Sequence, residues 1–386
     1  MNMDEVHHEW KRTINLNILF MRIMGLWPRK NEIYKPGFYM VYGGLMVTFF
    51  VVWHIATQVI NIYFVRNQLE TVAAIIYLLL IEITASLKVF FLIKNTKKLK
   101  ERISLLKSNW FPRTNHEQKV LIETSIKSWI SIYRMLVVLC TSWIAFSMTY
   151  PLLDASAGEK RLPFLAWYPY DYKISPLYEI TYSIQVIGSS YLTFVHLCVD
   201  NLNYIMNVYI KCQFDMLSDN LRNFTKISSD FNKGLIECVL HHKRILSFVE
   251  GSKFFNWIFV CHLIINGVAI GITMFKLTMV VPFSTEFYTL VTYEFAVTNQ
   301  IYMYCWYGNE VELSSDLVSY AAFESDWTEL PEDVKKNLFI FVLNVIEPIK
   351  ISAFNVFYLS LDTFKTILKT AWSYFALLDQ LSSRNK

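Results

Sequence analysis

Charge is scarce in this chain: of 386 residues only 18% are Asp, Glu, Lys or Arg, against 54% hydrophobic and 16% aromatic. A soluble globular domain carries about a quarter charged residues, so a free-standing soluble fold is not the first reading. The opening MNMDEVHHEW is acidic and His-containing and lacks an early apolar core, so no secretory signal peptide is expected. Signatures of catalysis are missing too: there is no Walker loop, HExxH pair, Gly-rich nucleotide turn or nucleophile elbow. An enzyme is therefore the least favoured class, and neither a cofactor nor a nucleic-acid partner is expected. The adjacent pairs His7-His8 and His241-His242 would point about 100° apart on a helix, which suits solvated surface better than one metal ion. No sequence repeat or low-complexity segment is present.

The apolar residues are gathered into runs near or beyond the ~20 residues that a helix needs to cross about 30 Å of hydrocarbon. The expected fold is an all-α membrane protein with seven spans at roughly 38–60, 71–93, 129–152, 175–200, 255–281, 287–307 and 349–378. Segment 201–254 has little Gly, no Pro and apolar residues at helical spacing, so it reads as helix continuing out of the membrane. Pro331, Glu332 and Asp333 look like a helix start. Val334, Leu338, Phe341 and Val345 then give that helix an apolar face, and Pro348 ends it.

Orientation follows from the basic residues between spans. The N-terminal segment and the second, fourth and sixth connections hold 24 Lys and Arg, whereas the other connections and the C-terminal tail hold 6. This places the N-terminus in the cytoplasm and, after seven spans, the C-terminus outside. All six cysteines (Cys140, Cys198, Cys212, Cys238, Cys261, Cys305) fall in spans or expected cytoplasmic segments, leaving none for an extracellular disulfide. The single Asn-x-Ser/Thr site, Asn223, also lies on the expected cytoplasmic side. A G-protein-coupled receptor has the opposite orientation and carries DRY and NPxxY motifs, which are missing. The nearest approach is Asn355-Val356-Phe357-Tyr358.

Ionisable residues at membrane depth are costly and usually face the protein interior or a water-filled path. Glu82 and Lys88 in the second span and Arg134 in the third are of this kind; for Lys88 and Arg134, snorkelling to the cytoplasmic interface is the alternative. In the seventh span Thr363, Thr366, Thr370, Ser373, Leu377 and Gln380 follow one another at 3, 4, 3, 4 and 3 residues, a single helical stripe. Such a stripe suits a water-filled conduit with a hydrophobic constriction, and Ser/Thr-mediated helix packing accounts for it equally well. In the outer half, Tyr178, Tyr182, Gln185 and Ser189 share a face of the fourth span. Phe146 and Tyr150 lie near the end of the third, and Tyr288, Thr292 and Phe295 are on the sixth. Trp167, Tyr168, Tyr170 and Tyr172, set among Pro163, Pro169 and Pro176, form a lid-like connection. Aromatic walls with a few hydroxyls suit a small apolar ligand bearing one polar group. Interfacial aromatic belts explain some of these residues, but not a one-sided polar stripe.

From Tyr304 to Leu381 the chain resembles the C-terminal region of insect odorant receptors. The matching features are Cys305-Trp306-Tyr307-Gly308-Asn309, Ser314-Ser315, Trp327, Pro348, Leu361 with Phe364, and Ser373-Tyr374-Phe375. Gly25-Leu26-Trp27-Pro28 resembles the GLWP found before the first span in that family. The related gustatory receptors carry TYxxxxxQF, which Ser373-Tyr374 and Gln380-Leu381 echo with two substitutions.

The resemblance implies a ligand-gated, non-selective cation channel, a tetramer around one pore lined by the last helix. It puts the gate at Leu377, with Leu381 a turn further out and Gln380 beside it, and a volatile ligand among spans two, three, four and six. It divides the chain into a cytoplasmic segment 1–37, spans one to four with the outer pocket region 38–200, and a cytoplasmic helical extension 201–254. Spans five and six (255–307), an anchor region for subunit contact (308–348), and the pore helix with its short tail (349–386) complete it. The chain lacks the long insertion between spans four and five that marks the shared coreceptor. It therefore resembles a ligand-tuning subunit, with coreceptor subunits as partners in a heterotetramer and the plasma membrane of a sensory dendrite as its place. Asp379 and Trp372 depart from the family pattern. The rivals are a gustatory receptor of the same superfamily and a secondary transporter; the inverted repeats and broken midplane helices of the latter are not found.

Overall fold

The computed structural model describes residues 3–28, 37–108, 116–153, 160–227, 230–353 and 357–384. Almost everything in it is helix. The order is α1 (Met3–Ile23), α2 (Phe38–Val47), a π-helical turn (Thr48–Val52) running into α3 (Trp53–Val65), α4 (Leu69–Ser108), α5 (His116–Leu153) and α6 (Leu177–Ile227). Then come α7 (Phe231–Ser252), a short 3-10 turn, α8 (Asn256–Leu277), α9 (Thr285–Phe323), a second 3-10 turn, α10 (Glu332–Val345) and α11 (Leu361–Arg384). A two-residue antiparallel pairing, β1 (Ser352–Ala353) with β2 (Phe357–Tyr358), precedes α11.

Five stretches among the described residues are long and apolar enough to cross a membrane. Phe38–Val65 and His116–Thr149 leave most of their most apolar window on the surface (22% buried each). Thr71–Lys107, Leu177–Lys226 and Asn256–Leu277 bury 56%, 56% and 61% of theirs. The first two are thus peripheral and the other three central. Tyr204 of α6 packs against Tyr304 and Tyr307 of α9 at ring separations of 5.2 and 5.4 Å, and α4, α5 and α8 close around that pair.

The helices outrun the expected spans. Lys94, Lys97, Lys98 and Lys100 end the apolar run of the second span, yet α4 continues to Ser108. Charged residues with good helix propensity end the hydropathy signal without ending the helix. The fourth span likewise runs on to Ile227. α7 then folds back along it, pairing Tyr209 with Phe248 (4.8 Å) and Gln213 with His241 (2.8 Å). Its start is capped by Asp230, which accepts from Asn232 N (3.1 Å) and Lys233 N (3.2 Å). Helix α10 has the bounds that its prolines suggest, and Val334, Leu338, Phe341 and Val345 are buried, with Phe341 edge-on to His242 at 5.6 Å.

The seventh span is the main correction. Helix does not begin at 349 but at Leu361, after an extended segment. Ile349 N donates to Ser315 Oγ (2.8 Å) and Leu359 N to Ile351 O (2.9 Å), so this backbone finds partners without a helix. Leu359 lies on Gly308, where a Cβ would meet its Cβ and carbonyl oxygen at 2.4 Å; only glycine admits that contact. At the other end, Gly25 (φ 78°) closes α1. Gly25 N donates to Arg22 O (3.1 Å) and Leu26 N to Met21 O (2.8 Å), the paired bonds of a Schellman cap.

Candidate functional site

Helices α4, α5, α6 and α9 enclose a cavity of about 100 Å³, where one water needs roughly 10–15 Å³. Leu78 and Ile81 of α4, Leu136 and Leu139 of α5, Leu192 and Leu197 of α6 and Val297 of α9 form its apolar walls. Trp143 and Phe164 lie against each other with ring centroids 6.3 Å apart and near-parallel planes, and both line the cavity.

Phe164 belongs to the connection before α6 and is held from both sides of its own peptide. Gln185, wholly buried, accepts from Phe164 N (3.0 Å) through Oε1 and donates to Phe164 O (3.0 Å) and Tyr168 OH (3.0 Å) through Nε2. The same connection is tied to α3 by Trp167 N to Thr57 O (3.1 Å) and to α6 by Tyr170 OH with Thr181 Oγ1 (2.8 Å). The Pro- and aromatic-rich segment is thus a fixed roof, and Phe164 is its side chain turned inward.

Polar groups line the cavity at two places. Lys88 Nζ lies 2.5 Å from Asp200 Oδ1, and Tyr304 OH and Gln300 Nε2 also donate to that carboxylate. His196 presents Nδ1 to Lys88 Nζ (2.9 Å) and Nε2 to Ile81 O (3.1 Å). The carbonyl needs a donor and the ammonium needs an acceptor, so His196 is neutral with its proton on Nε2. Lys88 therefore does not snorkel; it is one half of a buried ion pair. Glu82 forms the second place, where Oε1 meets His54 Nδ1 (2.7 Å) and accepts from Gln58 Nε2 (2.7 Å). Arg134 is the exposed one of the three, 3.9 Å from Glu9.

Of the eight residues expected at the ligand, the seven whose side chains are described do not line this cavity. Phe146 stacks on Tyr288 (6.4 Å) on an exposed face. Thr292 bonds back to Tyr288 O (2.7 Å), and Phe295 is 54% exposed. Tyr178 and Tyr182 pack together at 5.8 Å, the first donating to Arg161 O (2.9 Å) and the second to Met148 O. The Tyr150 side chain lies outside the described residues. Gln185 acts through Phe164. The stripe that carries Tyr178, Tyr182 and Gln185 does enter the cavity, but one turn deeper, at Ser189. Trp143, Phe164, His196, Asp200, Tyr293 and Gln300 escaped sequence reasoning. For Asp200 a signal existed: an acidic residue at the end of a span opposite an unpaired Lys88.

Helix α11 is two-faced. Phe364, Ile367 and Leu368 pack on the core and Ala371 is buried. Thr366, Thr370, Ser373, Leu377, Gln380 and Leu381 all lie on its exposed side, Leu377 at 54%. Thr366 and Thr370 return their hydroxyl protons to Asp362 O and Thr366 O (2.9 Å each), as Ser373 does to Lys369 O (3.1 Å). The packed face meets α8 at two glycines, where a Cβ on Gly267 would reach Ile367 at 3.1 Å and one on Gly271 would reach Ala371 O at 2.8 Å. Four residues apart on α8, they let the helices approach closely. Beside them Asn266 Nδ2 lies 3.0 Å from His262 Nε2 and 3.5 Å from Gln300 Oε1. A polar chain thus runs from the cavity wall to the helix that carries α11.

A family model described as 7tm Odorant receptor matches residues 68–372. Odorant receptor 10 of Aedes albopictus is 27% identical over 317 residues, covering 78% of this chain and 82% of that protein. Odorant receptor Or1 of Anopheles gambiae is 22% identical across 99% of this chain and 100% of its own. Among solved structures, the insect olfactory receptor OR5 from Machilis hrabei in complex with eugenol superposes with a TM-score of 0.87 at 17% identity, covering 97% of this chain and 99% of that one.

Proposed function

The chain belongs to the 7tm odorant receptor family, and on that premise we propose that it is a ligand-tuning subunit of an odorant-gated cation channel. A small volatile molecule binds in the cavity between α4, α5, α6 and α9, and the exposed stripe of α11 lines a pore completed by coreceptor subunits in a heterotetramer. The observation that carries this reading is the division of α11. Phe364, Ile367, Leu368 and Ala371 are packed on the core, whereas Thr366, Thr370 and Ser373, with Leu377 in line with them, are turned away from the subunit.

A helix with that pattern has little to gain from lipid on its polar side, whereas a shared aqueous axis hydrates the hydroxyls. Leu377 then narrows the axis with a surface that offers ions no oxygen ligands, and such a ring stops them by dewetting. Helices α9 and α11 join the five strongly apolar stretches as the sixth and seventh spans, with the N-terminus in the cytoplasm of a sensory neuron. Ligand occupancy reaches α11 through Gln300, Asn266 and the Gly267–Gly271 contact. Ligand acts on gating only through different affinities for the closed and open arrangements, and the cavity wall and this route are where they differ.

The test is whole-cell current on addition of volatile compounds to cells expressing this chain with the coreceptor, the coreceptor alone, or this chain alone. Current that needs both chains, and whose ligand sensitivity follows this one, is the expected result. Ligand-dependent flux of a solute without channel-sized currents would support a transporter instead.

A further inference from the structure

The side chains lining the cavity have nearly all committed their protons elsewhere. Ser189 Oγ donates to Val186 O (3.1 Å), Thr193 Oγ1 to Ser189 O (2.8 Å), Tyr204 OH to Gln300 O (3.3 Å) and Tyr293 OH to Tyr77 O (3.1 Å). His196 gives its single proton to Ile81 O and Gln300 gives one of its two amide protons to Asp200. Acceptor capacity is left over. Each hydroxyl oxygen keeps lone pairs, and Glu82, which lines the cavity, has an Oε2 that is buried and without a partner among the described residues. Its Oε1 already serves both His54 and Gln58. Asp200 is not spare, since Lys88, Tyr304 and Gln300 occupy it.

Such a wall accepts hydrogen bonds and barely donates them. Besides the weak Cys140 thiol, the lining donors left over are the second amide proton of Gln300 and the indole N–H of Trp143, which bonds to nothing among the described residues. Taking the cavity as the ligand site, we infer that it selects alcohols and phenols: a compact apolar body whose hydroxyl donates to Glu82, with Ser189 and Thr193 as the neighbouring acceptors. An aldehyde, ketone, ether or ester of equal shape has no proton to give. It leaves the carboxylate unanswered in a medium where no water replaces the bond, which is how a buried polar site rejects an isostere. An ammonium supplies the proton but must shed its hydration to enter apolar walls, so an amine is the weaker fit.

The test compares 1-hexanol, hexanal, methyl pentyl ether and hexylamine, and benzyl alcohol, benzaldehyde and anisole, on cells expressing this chain with the coreceptor. The alcohols should be favoured on the order of tenfold in half-maximal concentration, equivalent to about one bond's discrimination. Glu82→Gln keeps the shape but adds an amide donor, so it should narrow the alcohol-to-aldehyde ratio. Ser189→Ala should narrow it less. The ratio is taken within one preparation, so a change in surface expression cancels. Aldehydes or ethers as potent as alcohols, or a ratio unmoved by both variants, overturns the inference. If in that case Trp143→Ala still abolishes the aldehyde response, the cavity remains the ligand site and only the donor requirement falls. Silence to every probe counts against the cavity itself and takes the inference with it.

Discussion

Lys88 and Asp200, 112 residues apart in the chain, meet at 2.5 Å with their side chains 0% and 4% exposed. The pair joins α4 to α6 beneath the cavity, and Tyr304 and Gln300 extend it to α9. Two charges at that depth are tolerated only together. An isolated one would bear several kcal/mol of uncompensated desolvation, and their attraction offsets it only with further hydrogen bonds in place.

Breaking that pair from one side should therefore be worse than removing it. Lys88→Met is expected to cost about 3–5 kcal/mol and to lower the melting temperature of the purified protein. The double variant Lys88→Met/Asp200→Leu should recover part of the loss, though Tyr304 and Gln300 remain unpartnered. A double variant less stable than either single one would refute the account.

The cavity's ligand contacts should lie with Trp143, not Phe295. Trp143→Ala is expected to weaken apparent affinity by about 1–3 kcal/mol, roughly ten- to a hundredfold, whereas Phe295→Ala, exposed and off the lining, should leave it within twofold or so. Direct ligand binding is the assay to use, because gating changes also shift a current–concentration curve. A large loss confined to Phe295→Ala would move the site to the lipid-facing side.

Leu377→Ser should raise current in the absence of ligand, since a hydroxyl would let water persist at the proposed constriction. In the proposed heterotetramer the increase should be partial, because the coreceptor subunits would keep their own apolar side chains at that level. Phe375 lies on the side of α11 that meets α8, with its backbone N 3.5 Å from a Cβ built on Gly271. Phe375→Ser should therefore reduce surface expression without adding leak. Leak from the Phe375 variant alone would reverse the assigned pore face.

Antibody access tests the topology. A tag at the C-terminus should stain intact cells, and one at the N-terminus should stain only after permeabilisation, given 24 basic residues on one side and 6 on the other. The reverse pattern would revive the G-protein-coupled reading.

The α7 region carries a pH response of its own. His241 donates Nε2–H to Gln213 Oε1 (2.8 Å), and burial, helped by Arg244 and His242, lowers its pKa from the usual 6.5 to about 4. The folded form binds fewer protons than the unfolded one between these values. Stability is thus complete above about pH 6.5 and falls as pH drops toward 4, by on the order of 1 kcal/mol or more. His241→Asn should flatten the melting temperature between pH 7.5 and 5, and an unchanged slope would sink the assignment.

The sequence by itself determined what periodicity and local chemistry determine. The stripe of α11 from Thr363 to Gln380 was legible because a helix fixes which residues share a face, whatever surrounds it. The bounds of α10 were legible because prolines act on their own backbone. The apolar walls of the spans were legible because lipid imposes one composition. Tertiary structure decided the rest. Helix ends such as Ser108 and Ile227 lie where hydropathy no longer reports. The start of α11 at Leu361 depends on Gly308 and Ser315 giving the preceding chain a place to lie. The cavity is lined by Trp143 instead of Phe146, and by Ser189 beyond Gln185. Those choices follow from the rotation and depth of four helices against one another. Such rotation is set by packing among residues distant in the chain, as Lys88 and Asp200 are, and no local pattern encodes it.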